Sequence, residues 1–133
     1  MALVIVDSTV WIDYLNGVST SQTEWLHREL DRQRLGLLDI ILCEVLQGVR
    51  DERRFDEVLT ELLRFEVFAT GGVELALAAA RNYRALRARG RAVRATVDTW
   101  IATFCLAGGH ALLHNDRDFD HFEQILGLEV VHA

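Results

Sequence analysis

Residues 2–9 read Ala-Leu-Val-Ile-Val-Asp-Ser-Thr, a short apolar run that ends in an acid and two hydroxyl side chains. An uninterrupted apolar run of this length is typical of a strand buried on both faces of a parallel sheet. Asp7 would then lie at the carboxyl end of the strand, and Ser8 and Thr9 would begin a helix that stops near Gly17. Ligands bind at this edge of open parallel sheets. The stretch therefore predicts an α/β fold with a candidate site at Asp7.

Short apolar runs and amphipathic stretches alternate along the rest of the chain. Further strands are predicted at 35–38, 65–69, 111–113 and 128–131. Further helices are predicted at 21–34, 40–47, 51–64, 73–89, 96–106 and 119–125, with Ser21 and Glu24 as a capping box and Asp39 and Thr96 as N-caps. This order predicts one domain, residues 1–133, folded as a three-layer α/β/α sandwich with a mainly parallel central sheet of about four to five strands.

Composition excludes several broad classes of protein. Half of the 133 residues are hydrophobic and 26% are charged, unlike a disordered or collagen-like chain. No apolar run approaches the roughly 20 residues of a membrane span, and the start of the chain lacks the features of a secretory signal. We therefore expect a cytoplasmic protein with no membrane partner. Cys43 and Cys105 lie in apolar segments without metal-ligand spacing, so we expect buried thiols.

The positive charges exclude some kinds of chemistry. All 14 basic residues are arginine, and the chain has no lysine. This absence excludes the Walker A phosphate loop, Schiff-base catalysis and the phospho-aspartate sites that use a lysine beside the acids.

Four acidic residues occupy informative positions. Asp7 and Asp116 follow predicted strands, Asp98 lies in the first turn of a predicted helix, and Glu44 lies in the helix predicted at 40–47. Taken singly, each aspartate is better explained as a helix cap, a partner of the helix dipole or an Asx turn. Glu44 differs, because its helix has almost no other polar side chain. A carboxylate there needs a partner surface or a polar cavity.

Taken together, the acids indicate a metal site. Strand ends and a helix N-terminus direct Asp7, Asp98 and Asp116 towards one edge of the sheet. Carboxylates held together raise one another's pKa values unless a cation neutralises them. Mg²⁺ prefers carboxylate oxygens and keeps several waters, which suits activation of a nucleophile and stabilisation of a phosphodiester leaving group.

The segments around these acids resemble the four acidic motifs of the PIN domain family, and more narrowly those of VapC-type toxins of type II VapBC toxin–antitoxin pairs. The matching segments are 7–12 (DSTVWI), 41–48 (ILCEVLQG), 98–102 (DTWIA) and 112–119 (LLHNDRDF). A strand followed by aspartate is common, but four acids in this order, with Asp-Arg-Asp-Phe near the end, are a specific combination. The resemblance covers essentially the whole chain.

The resemblance implies a PIN-like fold and a Mg²⁺-dependent endoribonuclease, with Mn²⁺ as an alternative ion, that inhibits growth and translation. Such an enzyme cleaves RNA phosphodiester bonds with a metal-activated water. By motif position, the catalytic residues are Asp7, Glu44, Asp98 and Asp116. Of these, Asp7, Asp98 and Asp116 would bind the metal.

Three further residues near the motifs have two interpretations each. Asp118 is a fifth acid of the site, or else a cap or surface acid of the last helix. Thr9 is a hydroxyl near the site or a helix cap. Many family members have Ser or Thr where this chain has His114, so His114 either contacts RNA or merely ends its strand.

The resemblance also implies partners. These are an RNA substrate, a cognate VapB-type antitoxin and a second copy of the chain, as a homodimer within a larger toxin–antitoxin complex. Residues 10–15 and 55–63 offer more hydrophobic surface than a small sheet needs, which is consistent with such partners.

Net charge conceals a basic segment. The chain carries a formal charge of −6, yet residues 81–94 contain six arginines and no acid. Arg89, Arg91 and Arg94 flank Gly90 in a predicted loop just before Asp98, where they could bind RNA phosphates. The arginines at 81, 84 and 87 are at least as well explained as a solvated helix face.

Two alternatives remain open at this point. The same acids would suit a metal-dependent phosphatase or a DNA nuclease, and only the resemblance favours RNA over DNA. A non-catalytic interaction module would use the acids as caps, but it would not need Glu44.

Overall fold

The computed structural model describes residues 2–133, which form four strands and seven helices. The strands are β1 (Leu3–Val6), β2 (Arg34–Leu38), β3 (Glu66–Phe68) and β4 (Ala111–Leu113). The helices are α1 (Ser8–Leu15), α2 (Ser21–Glu29), α3 (Asp39–Gln47), α4 (Glu52–Leu62), α5 (Val73–Ala88), α6 (Thr96–Gly108) and α7 (Asp118–Leu126).

The four strands form one parallel sheet in the order β3-β2-β1-β4. Every residue of β1 and β4 is buried, whereas β3 is mostly exposed at its edge. Parallel neighbours require crossover connections, and helices make each of them. Helices α1–α4 pack against one another, and α5–α7 pack against one another. The predicted three-layer α/β/α sandwich is confirmed, with four strands in its sheet.

Register places the ends of β1 and β4 side by side. Val6 is opposite Leu113, and the backbone N–H of Asp7 donates to the carbonyl of Leu113 at 2.9 Å. The residues that leave these two strands therefore begin at the same level, at the carboxyl edge of the sheet.

A glycine allows the closest approach between β2 and β3. A Cβ atom on Gly36 would lie 2.9 Å from Cε2 of Phe68 and 3.0 Å from the carbonyl oxygen of Glu66. The second contact is with backbone, which cannot rotate away. The small residue is therefore required by the packing of the sheet.

One hydrophobic cluster lies on both faces of the sheet, with Trp11, Phe119 and Phe122 among its fully buried side chains. Cys105 belongs to it, and burial raises the pKa of its thiol to about 12. The prediction of a buried thiol is wrong for Cys43, which is exposed. Ile41 and Val45 face the core from α3. Cys43 is two positions from each of them and therefore lies on the opposite, exposed side of the helix.

At the start of three helices, the residue in the cap position is the one before the predicted cap. Thr20 and Thr23 form the capping box of α2, so Ser21 and Glu24 do not. The N-caps of α3 and α6 are Leu38 and Ala95, neither of which makes a side-chain bond to its helix. The prediction that Asp39 and Thr96 are these caps is wrong.

The carboxylate of Asp39 has another partner. It accepts hydrogen bonds from the backbone N–H and hydroxyl of Thr70, and so joins the end of β2 to the loop after β3.

Two predicted elements are shorter than expected. Helix α2 ends at Glu29, and Arg34 instead begins β2, where it forms an ion pair of 2.8 Å with Glu66. The strand predicted at 128–131 is a single parallel bridge between Val130 and Leu112.

Within residues 2–133, none of the helices combines the length and the hydrophobicity needed to span a bilayer.

Candidate active site

Five acids from distant parts of the chain meet at the carboxyl edge of the sheet. Asp7 follows β1, Glu44 lies in the middle of α3, Asp98 lies in the first turn of α6, and Asp116 and Asp118 lie between β4 and the start of α7. The charges of the other four all raise the pKa of Asp98. The structure thus brings together the predicted quartet and the fifth candidate.

Asp7 is the most deeply buried of these acids, with 2% of its surface exposed. Its Oδ2 accepts hydrogen bonds from the backbone N–H of Thr9 at 3.2 Å and from the Thr9 hydroxyl at 2.7 Å. Its Oδ1 is buried and has no hydrogen-bond partner within residues 2–133. Burial raises the pKa of Asp7, the bonds from Thr9 oppose this effect, and the charge of Asp116 adds to it.

Thr9 connects the two strand ends. While its hydroxyl donates to Asp7, the same oxygen accepts the backbone N–H of Asn115 at 3.2 Å. The N-cap of α1 is Asp7, so the interpretation of Thr9 as the helix cap is wrong. Thr9 lies in the first turn of α1, and its hydroxyl holds the loop that carries Asp116 against Asp7.

Glu44 faces Asp7 from α3. Its Oε1 accepts the hydroxyl of Ser8 at 3.2 Å, and burial followed by the charge of Asp7 raises its pKa, against the effect of the Ser8 bond. Sequence reasoning missed the role of Ser8, although a hydroxyl directly after the first acid was a usable signal. The contact explains why a carboxylate is tolerated in this apolar helix.

Asp98, Asp116 and Asp118 form the tightest group. One carboxylate oxygen of each lies within 4.8 Å of the others, close enough for one cation to bind all three. Burial is the largest cause that raises the pKa of Asp98 to about 7, followed by the charges of Asp7, Asp116, Glu44 and Asp118. Asp118, the fifth candidate, thus belongs to this group.

Arg94 borders the acids on one side. Its Nε lies 3.2 Å from Oδ2 of Asp118, its backbone N–H donates to the same oxygen at 3.3 Å, and its Nη2 lies 4.0 Å from Oδ1 of Asp116. These acids raise the pKa of the Arg94 guanidinium. Arg91 lies nearby, whereas Arg89 is the exposed C-cap of α5.

His114 supports the loop that carries Asp116. It is 8% exposed, its Nδ1 accepts the backbone N–H of Asp116 at 3.1 Å, and its ring packs on Phe119 with a centroid distance of 4.9 Å. Burial lowers the pKa of His114 against the effect of Asp120 and Asp116, which favours the neutral imidazole that accepts this bond. The sequence left the role of His114 open, and in the structure its ring accepts the backbone N–H of Asp116.

The donor set fits a hard divalent cation. All of its ligand atoms are carboxylate oxygens, the type that Mg²⁺ and Mn²⁺ prefer. An unpaired buried oxygen such as Oδ1 of Asp7 costs free energy unless a partner supplies positive charge or a hydrogen bond. Burial, and after it the charges of neighbouring acids, raise the pKa values of Asp7, Glu44 and Asp98, so a bound cation would favour their ionised forms.

Residues 4–125 match the family model of the PIN domain. This chain belongs to the PIN domain family. This PIN domain is 29% identical to Ribonuclease VapC11 of Mycobacterium tuberculosis over 133 residues, which cover 96% of both chains. The predicted resemblance to the family and to its VapC-type members is confirmed.

Solved structures share the fold of this PIN domain. A chain in the structure of VapBC2 from Rickettsia felis, bound to a promoter DNA fragment, matches with a TM-score of 0.77, 16% identity and 97% coverage of both chains. A chain of DNA-bound VapBC from Salmonella typhimurium matches with a TM-score of 0.76, 20% identity and 98% coverage of both chains.

Proposed function

We propose that this PIN domain is a VapC-type toxin that cleaves RNA with the help of a divalent cation, Mg²⁺ or Mn²⁺. The observation that carries the proposal is the group of Asp98, Asp116 and Asp118, whose oxygens lie within 4.8 Å of one another beside the unpaired Oδ1 of Asp7. The ribonuclease names of relatives that match almost the full length support RNA as the substrate.

The catalytic residues proposed here are Asp7, Glu44, Asp98 and Asp116. Asp7, Asp98 and Asp116 would hold the cation, with Asp118 as a further ligand. A bound divalent cation activates a water for attack on the phosphodiester and stabilises the leaving oxygen.

The protein contributes position and protonation state to the reaction. Thr9 fixes Oδ2 of Asp7, which leaves Oδ1 free to face a ligand. Ser8 holds Oε1 of Glu44, so the other oxygen of Glu44 can accept a proton from an attacking water. Burial and the neighbouring acids raise the pKa of Asp98 to about 7, so binding of a cation near neutral pH would displace the proton from those molecules in which Asp98 is protonated.

Metal titration of the purified chain and of Asp98→Asn tests this proposal. We expect calorimetry to show binding of Mg²⁺ or Mn²⁺ to the wild-type protein and loss of that binding in the variant. Cleavage of labelled RNA, run on the same samples, should be lost together with metal binding. Metal binding without cleavage of RNA would favour the phosphatase or DNA-nuclease alternative, and absence of both would favour an interaction module.

Partners of the toxin follow from the same assignment. We infer a cognate VapB-type antitoxin and a homodimer, supported by VapBC complexes among the structural neighbours and by exposed apolar side chains such as Leu63, Val73 and Leu77. A cytoplasmic location is part of the proposal.

Expression of the chain alone should arrest growth, and expression with the neighbouring open reading frame should relieve the arrest. Harmless expression of the intact chain would contradict the toxin assignment.

A further inference from the structure

A polar cavity of about 440 Å³ lies between the loop at 91–94 and helix α7. Three arginines, two aspartates, His121 and Gln124 line it. Its volume falls within the roughly 300–1,000 Å³ of ordinary ligand sites. The size and the lining suit a polar ligand that carries negative charge.

The cavity adjoins the acidic group directly. Asp118 and Arg94 line it, and the same two residues form the ion pair at the edge of the metal-ligand group. A chain of nucleotides whose phosphate is bound beside Asp118 would therefore place its next unit in or near this cavity.

Part of the positive charge in the cavity is not paired with a carboxylate of the protein. Arg94 is paired with Asp118, but the side-chain contacts of Arg91 are to His121 and Gln124, with Nη1 3.4 Å from Nδ1 of His121 and 3.5 Å from Oε1 of Gln124. Neither Arg91 nor Arg117 has a carboxylate within 4.0 Å among the described residues. Two guanidinium groups are thus available to an anionic ligand.

The loop that carries Arg91 is held in place before any ligand binds. Gly90 adopts a φ of 74°, which glycine reaches without steric cost, and the backbone N–H of Arg91 donates to the carbonyl of Leu86 at 2.9 Å. Val93 is buried in the core with 6% exposure. A fixed backbone reduces the entropy lost when the side chain of Arg91 binds a ligand.

We propose that this cavity binds the RNA nucleotide adjacent to the scissile phosphate. The proposal rests on the proposed ribonuclease function. Arg91 and Arg117 bind the phosphate of that nucleotide, while His121 and Gln124, one turn apart on α7, contact the edge of its base. A glutamine amide both donates and accepts hydrogen bonds, as reading of an unpaired base requires.

Cleavage of a randomised RNA library tests the two roles separately. The probe is a 12-nucleotide random single strand between constant ends, cut in the presence of Mg²⁺ or Mn²⁺ and sequenced. We expect Arg91→Gln to lower kcat/KM about fivefold to tenfold for all sequences alike, chiefly through KM, and to reduce the salt slope by about 0.7. Gln124→Ala should instead lose the base preference at one position next to the cut.

Arg32→Gln is the matched control. Arg32 is also exposed, but it precedes β2 and so lies at the amino-terminal edge of the sheet, away from the acids. Equal cleavage by Arg91→Gln and Arg32→Gln, or an unchanged base preference in Gln124→Ala, would overturn the assignment of the cavity while leaving the ribonuclease intact. Failure of the wild-type protein to cut any sequence would overturn the proposed function and this inference with it.

Discussion

At the scale of single residues, the protonation of Asp98 makes the stability of the fold depend on pH. Burial and four neighbouring acids raise its pKa from 3.8 to about 7, so the folded chain retains a proton that the unfolded chain releases. The stability that this proton contributes is fully present below about pH 3.8 and is lost as the pH rises through about 7.

Asp98→Asn should therefore stabilise the metal-free protein at alkaline pH. We expect the Tm of the variant to exceed that of the wild type by about 3–5 °C at pH 8 and to match it near pH 4, because asparagine removes the charge and keeps the shape. Scanning calorimetry in EDTA across this pH range provides the measurement. A variant less stable than wild type at pH 8 would identify Asp98 as a structural helix residue instead.

His114 should act on the cation through Asp116. His114→Ala removes the acceptor of the Asp116 N–H and the ring that packs on Phe119, so we expect unfolding free energy to fall by about 2–3 kcal/mol. Affinity for Mg²⁺ should fall about tenfold, as for other residues that orient a ligand. Urea unfolding and calorimetric titration measure the two effects. His114→Asn should recover part of the affinity if its side chain restores an acceptor, and unchanged Mg²⁺ affinity in His114→Ala would contradict the positioning role.

At the scale of secondary-structure elements, the contact between β2 and β3 depends on Gly36. Gly36→Ala should lower the free energy of unfolding by about 1–3 kcal/mol, because a Cβ there meets the Glu66 carbonyl at 3.0 Å. Gly71→Ala is the control, since a Cβ at Gly71 meets no atom within 4 Å and should change stability by less than about 0.5 kcal/mol. Urea denaturation of both variants tests the difference. Equal stability of the two would mean that β3 moves to accept the methyl group.

Buried elements were predictable because their signal is local. The apolar runs of β1 and β4 are visible in the sequence itself, and Asp98 lies in the first turn of α6 because that helix begins at Thr96, where it was predicted to begin. The capping box of α2 was not predictable, because neighbouring hydroxyl residues compete: Thr20 rather than Ser21 accepts the backbone N–H of Thr23. Asp39 binds Thr70, which is 31 positions away and invisible to a local pattern.

The acids of the site were predictable as a set, since strand ends and helix starts converge on one edge of a parallel sheet. The distances between these acids were not predictable from the sequence. The turn after β4 brings Asp118, not Asp7, within 4.8 Å of Asp98 and Asp116. That turn depends on the bond from the Asp118 N–H to Oδ1 of Asp116 and on Arg94. His121 and Gln124 carried no signal, because polar residues on a surface helix are ordinary.

At the scale of the whole molecule, a divalent cation should stabilise the fold by relieving repulsion among the acids. At a concentration 100 times its Kd, Mg²⁺ should add about 2.7 kcal/mol to the unfolding free energy. Thermal unfolding with Mg²⁺ measures the gain, and EDTA should reverse it. NaCl at the same ionic strength serves as the control, and an equal gain in NaCl would mean that general screening, not a bound ion, is responsible.

The order of the strands has a consequence for synthesis on the ribosome. Asp7 leaves the ribosome early, but β4, which lies beside β1 in the sheet, comes near the end of the chain, and Asp116 and Asp118 come after it. No partial product can assemble the acidic group, because its members are joined only when the last strand docks against the first. A fragment that stops before β4 therefore lacks both the neighbour of β1 in the sheet and the two aspartates that follow β4.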